Sequence, residues 1–152
     1  MDRTTVRNKL LGQHQRVRAD VAECRAFAQR LRDGEPVSTE LDLALARLRA
    51  DFDDHNRTET GLLLPLLLHD SEGRGTRGTL LAERMLEEHA AEHAAFWARL
   101  LGSLPAVAAG MDELAEELDA HMAAEERTFL SPVLLRDDEL ARLVPVGERA
   151  QR

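Results

Sequence analysis

The stretch LLAERMLEEHAAEHAAFWARLL, residues 80–101, decides the fold. Met85, Leu86, His89, His93, Phe96 and Trp97 recur at helical rather than alternating spacing, so they line one face of a helix from Leu80 to Leu101. Two histidines four residues apart on such a face lie one above the other. His89 and His93 are therefore placed to grip one metal ion.

Outward from this helix, three breaker-rich segments punctuate the chain: RDGEPVST (32–39), DSEGRGTRGT (70–79) and GSLPAVAAG (102–110). Between them helical periodicity predicts a first helix from Thr5 to Arg32, a second from Thr39 to His69 and a fourth from Met111 to Leu130. Ser38 or Thr39 is positioned to cap the second helix and Thr79 the third, and Gly102 sits where a terminating glycine belongs. Short connections favour antiparallel neighbours, so the fold class is all-α, an antiparallel up-down-up-down four-helix bundle with a short C-terminal helical tail. Residues 1–135 form the bundle domain and 136–152 the tail, with a short helix expected over Asp137 to Leu143.

Composition agrees with a helical domain. Of 152 residues 43% are apolar and 32% charged, with no Tyr to serve as a tyrosinate ligand. A net charge of −8 offers no basic face for a nucleic-acid backbone. The lone Cys24 excludes an intramolecular disulfide and a CxxC site, and reads as a small buried hydrophobe. The polar N-terminus carries no signal-peptide core, and the longest apolar run, Leu62 to Leu68, is broken by Pro65. A cytoplasmic protein without a membrane partner is expected.

Five of the six histidines fall on apolar stripes. His14 has Leu10, Leu11, Val17 and Val21 around it, His55 follows Leu48 and Phe52, and His121 follows Leu114 and Leu118. Glu59 comes four residues after His55, and Glu125 four after His121, each sharing a face with its histidine. HNRTETGLLLP (55–65) and HMAAEERTFLSP (121–132) thus read as a faint internal repeat. A buried unsatisfied polar group costs roughly 1–3 kcal/mol, so an apolar core would not tolerate seven of them without bound cations. Two octahedral ions offer twelve positions; five imidazoles, two bridging carboxylates and one bridging oxygen fill eleven. One position stays open. Nitrogen and oxygen donors without thiolate suit iron or manganese, and the imidazole content favours iron. Glu-x-x-His is absent before every one of these histidines, which excludes a ferritin-type site, and HExxH is absent too.

A His on the first helix, His-x3-Glu on the second, His-x3-His on the third and His-x3-Glu on the fourth resembles hemerythrin and its HHE cation-binding relatives, over residues 10 to 132. The resemblance implies two iron ions with an oxo or hydroxo bridge. His89, His93 and His121 would bind one; His14 and His55 would bind the other, which carries the open position, with Glu59 and a second carboxylate bridging. That carboxylate is Glu125 if the fourth helix is regular and Glu126 if a π-bulge intervenes. Phe52, Leu62, Phe96, Trp97 and Met122 are expected to wall the open position, while His69, beyond Pro65, falls outside the set. O2 or another small diatomic or peroxide is the implied ligand. Three functions follow: reversible O2 binding for storage, delivery or sensing; an enzyme with catalase- or peroxidase-like activity, or one reacting with NO or reactive oxygen species; or a bundle that metals merely staple. The length leaves no room for the fused signalling or cysteine-bearing domains of some relatives.

Overall fold

The computed structural model describes residues 2–74 and 83–131. Helix α1 spans Arg3–Arg32. Helix α2 runs through Ser38–Thr58, a π-helical turn at Glu59–Leu63 and Leu64–Arg74. Helix α3 comprises a second π turn at Met85–His89 and Ala90–Leu100, and α4 spans Leu104–Arg127. Among the described residues there is no strand, and no helix is long and apolar enough to cross a membrane. The Thr79 cap, the start of the third helix at Leu80 and the tail with its short helix lie outside the described residues.

Each helix packs against two neighbours, and successive contacts along α1 run antiparallel to α2 and to α4. Gln13 pairs with Asp54 and Arg47 with Glu23 between α1 and α2. Arg7 reaches the Leu130 carbonyl, Arg18 reaches Asp119 and Arg25 reaches Asp112 along α1 and the α4 end. Arg49 donates to the Leu100 carbonyl between α2 and α3, and Arg99 meets Glu117 between α3 and α4. Val6, Leu10, His14, Val17, Val21, Cys24 and Ala28 are the inward stripe of α1, each three or four residues from the next as close-packed bundle helices require.

Apolar packing falls into two clusters. One gathers Val17 to Ala28, Leu41 to Phe52, Phe96, Leu100 and Val107 to Met122; the other gathers Val6, Leu10, Leu63, Leu67, Phe129 and Leu130. Between them lies a layer of buried polar side chains.

The helix boundaries depart from sequence expectation where tertiary burial or turn chemistry overrides local composition. Neither Ser38 nor Thr39 caps α2: Val37 occupies the cap position with no side-chain hydrogen bond and is itself buried, anchoring the entry by packing. Asp2 caps α1 instead, accepting from Thr5 N–H at 2.7 Å and from the Thr5 hydroxyl at 2.8 Å. The fourth helix starts seven residues before Met111, because Pro105 stands in the first turn, where its missing N–H costs nothing. Val107 and Ala108 are buried there, so a segment that reads as a loop by composition is helix. Helix α2 likewise continues past His69 to Arg74.

The π turn in α2 explains how the helix passes Pro65. Leu64 N–H bonds to the Glu59 carbonyl, five residues back, so the ladder is already displaced where the proline lacks a donor. The extra residue also rotates everything after it. A regular helix would turn Leu62 and Leu66 inward with His55 and Glu59; instead Leu63 and Leu67 are buried and Leu62 and Leu66 only flank them. Leu62 therefore belongs to the edge of the smaller cluster.

Helix α1 closes on a Schellman turn: Gly34 N–H bonds to Leu31 O and Glu35 N–H to Arg30 O, both at 3.0 Å, with Gly34 at φ 85°. A Cβ there meets no atom within 4 Å, so the whole cost of Gly34→Ala is conformational. This variant is expected to lose ~1 kcal/mol in urea denaturation. Gly12, inside α1 with equally open surroundings, gives the opposite sign: Gly12→Ala is expected to gain ~0.5–1 kcal/mol. Equal effects of the two substitutions would contradict this reading of the turn.

Candidate metal centre

The polar layer is built from one donor-bearing turn on each helix. His14 on α1, His55 and Glu59 on α2, His89 on α3, and His121 and Glu125 on α4 are all buried, and the His93 side chain is 13% exposed. Helix geometry sets the pairs: His55 and Glu59 stand one turn apart, as do His121 and Glu125, and the His89 and His93 ring centroids are 4.4 Å apart. Because α4 is regular through Arg127, Glu125 turns inward with His121, and Glu126 lies on the flank at 30% exposure. The π turns sit in α2 and α3 rather than between His121 and Glu126.

The donors form two groups whose ligand atoms lie within 4.8 Å of one another: His89, His93, His121 and Glu125, and His14, His55, Glu59 and Glu125. Each carboxylate divides its oxygens between the two sides. Glu125 Oε2 faces His14 Nε2 at 2.9 Å and His55 Nε2 at 3.5 Å, while its Oε1 faces His89 Nε2 at 2.7 Å. Glu59 Oε1 faces His55 Nε2 at 3.0 Å, and its Oε2 faces His89 at 2.9 Å and His93 at 3.5 Å.

These groups fit a cation by their unmet bonding. Both Glu59 oxygens, Glu125 Oε1, His89 Nε2 and both His55 nitrogens are buried without an aligned hydrogen-bond partner, although oppositely charged atoms lie close by. His93 Nε2 and His121 Nε2 face each other at 2.9 Å, close to the ~3 Å that separates neighbouring donors held ~2.1 Å from one ion. Lone pairs converging without mutual alignment are what a shared ion organises. His69, by contrast, is exposed on the far part of α2 and touches neither group.

Supporting contacts surround the donors. The His14 Nδ1–H donates to Glu126 at 2.9 Å, and Arg18 holds that carboxylate at 2.7 Å. The His121 Nδ1–H donates to Glu92, whose side chain is about half exposed. Phe52 lies edge-on to His93 at 5.4 Å and stacks with Trp97, Phe96 lies against His121 at 5.4 Å, and Phe129 against His89 at 5.5 Å. Met122 is buried in the larger apolar cluster. A cavity of about 80 Å³ opens between α3 and α4 beside Glu92 and reaches His89, His121 and Glu125. Cys24 is buried in that larger cluster, and burial pushes its thiol up to about 12, consistent with a packing role.

Sequence spacing singles out the seven donors, with Glu126 as the alternative to Glu125, but not Glu92, Phe129 or the contact of Glu126 with His14. Those three act across helix seams, and no local pattern announces them. A weak signal was available for the π turn: Pro65 inside a helix that continues past it requires a displaced hydrogen-bond ladder.

A four-helix bundle with a buried histidine and carboxylate layer arranged as two donor groups is a cation-binding protein of the non-haem, thiolate-free kind. The chain matches the hemerythrin HHE cation binding domain over residues 5–133, and it belongs to that family. No curated protein and no solved structure gives a significant match to it.

Without metal the imidazoles settle their charge with the carboxylates. Burial opposes protonation of His55 and His89, but Glu125 and Glu59 outweigh it, raising His55 to about 9 and His89 to about 10. Burial likewise pushes the Glu125 carboxyl up, yet the close imidazoles of His121, His14, His55 and His89 hold it well below the usual carboxylate range. Raised histidine values mean that the folded chain keeps protons the unfolded chain releases near ~6.5. That stabilisation is complete below ~6.5 and is lost as pH rises through 9 and 10. Metal-free protein is expected to lose on the order of 2 kcal/mol or more of urea stability between pH 6.5 and 10. Metal-loaded protein, its imidazoles neutral, should lack this slope, and a metal-free curve that is flat over the same range would show the pairs do not form.

Proposed function

We propose that this domain holds two iron ions bridged by Glu59 and Glu125 and binds O2 reversibly at one open position. The observation that carries the reading is the division of each carboxylate's oxygens between the two histidine groups. One ion would rest on His89, His93 and His121, the other on His14 and His55. Imidazole and carboxylate donors without thiolate suit iron. When bound, a pair of irons would supply the electrons for reversible O2 binding.

The chain's own residues supply enclosure. Phe52, Phe96 and Phe129 pack against His93, His121 and His89 and narrow access to the layer, which slows irreversible oxidation and excludes bulky ligands. A second reading, peroxide decomposition, draws on a different observation: the cavity that reaches His89 and His121 carries titratable Glu88 and Glu92 at its lining. Such groups could pass protons to and from a reacting peroxide.

Anaerobic loading with ferrous iron, followed by O2, separates the readings. A charge-transfer band that forms with O2 and disappears under vacuum supports carriage. O2 evolution from added hydrogen peroxide supports turnover, and neither result would leave only the stapling role. His89→Ala is expected to lose iron and several degrees of thermal stability together, since ligand binding stabilises the native state by mass action. His69→Ala should change neither. Full iron content in the His89→Ala protein, measured by elemental analysis, would remove α3 from the site.

A further inference from the structure

The two ion positions differ in what stands behind them. On the α1–α2 side, His14, His55 and Glu59 are at most 1% exposed. His14 is held from behind by Glu126, which bonds to Nδ1 and is itself clamped by Arg18. Arg18 is fixed in turn by the Asp119 carboxylate at 2.8 Å, so the chain of contacts returns to α4 seven residues before Glu126. The same side is tied laterally: Gln13 donates to Asp54 at 2.9 Å and to the Thr58 hydroxyl at 2.8 Å, stitching α1 to α2 beside the histidines.

On the α3–α4 side the support is looser. Glu92 holds His121 from a side chain about half exposed to solvent, with no cationic clamp among its described contacts. The cavity beside it leads from solvent to His89, His121 and Glu125, whose Oε1 is buried and unpartnered.

A carboxylate behind a ligating imidazole fixes its tautomer and ring direction and raises its basicity. An Nδ1–H given to Glu126 commits the His14 Nε2 lone pair to the ion. A carboxylate clamped by an arginine and 30% exposed does this better than an unclamped one about half exposed. Among the described residues, the cavity beside Glu92 gives water and chelators a route to the α3–α4 side.

We propose that Glu126, locked by Arg18, is a positioning residue that makes the His14–His55 ion the tightly retained one, whereas the ion held by His89, His93 and His121 exchanges through the α3–α4 cavity beside Glu92. The inference rests on the two-ion reading above.

The test is release of ferrous iron from anaerobically loaded full-length protein into excess of a coloured ferrous chelator. Wild type is expected to release one iron rapidly and one at least tenfold more slowly. Glu126→Ala should speed the slow phase by about 10–100-fold and leave the fast phase alone. Glu126→Gln, which keeps an acceptor for Nδ1–H, should fall between. Glu92→Ala should speed only the fast phase. Metal-free melting temperatures, recorded in parallel, identify any merely structural effect. Two irons leaving in a single phase, or a Glu126→Ala protein that melts lower with the slow phase unchanged, would overturn the proposal. Fewer than two irons bound by wild type would overturn the two-ion reading itself, and this inference with it.

Discussion

Seven imidazole and carboxylate groups share one buried layer between two apolar clusters, and the rest of the bundle is arranged around that constraint. Each such group left unsatisfied in an apolar interior costs roughly 1–3 kcal/mol, and ionised ones cost more. A bundle of this size has a net stability of only about 5–15 kcal/mol, so the layer must be neutralised collectively. Protons shared among histidines and carboxylates do so in the metal-free chain; cations do so in the loaded one. The layer thus behaves as a binding site by necessity of its own electrostatics.

The constraint fixes helix register. His14 must meet Glu125 across α1 and α4 while His89 meets Glu59 across α2 and α3, so the four helices can slide relative to one another by no more than a fraction of a turn. The π turn at Glu59–Leu63 is the adjustment that lets α2 serve both masters: its first part aims Phe52, His55 and Glu59 inward, and the extra residue then rephases Leu63 and Leu67 onto the smaller cluster. Local distortions of this kind concentrate at functional sites. Here the distortion lies in the helix that supplies a donor pair.

Most of this was legible in sequence because helical periodicity is local. The stripe carrying His89 and His93, the pairs His55 with Glu59 and His121 with Glu125, and the isolation of His69 are properties of single segments. So is the choice of an inward Glu125 over Glu126, once α4 is known to be regular. What local pattern did not show is what forms between segments. Glu126 reads as a flank residue until α1 brings His14 and Arg18 beside it. Phe129 and Glu92 acquire meaning only from α3 and α4 lying side by side. The start of α4 was missed for a different reason: a proline in a first helical turn has the composition of a loop and the conformation of a helix.

The central claim, that one carboxylate pair joins two irons, is tested most directly by anomalous diffraction at the iron edge from crystals of the loaded protein. Two peaks per chain are expected, one among His89, His93 and His121 and one beside His14 and His55, with Glu59 and Glu125 in contact with both. A single peak, or two that share neither carboxylate, would contradict it.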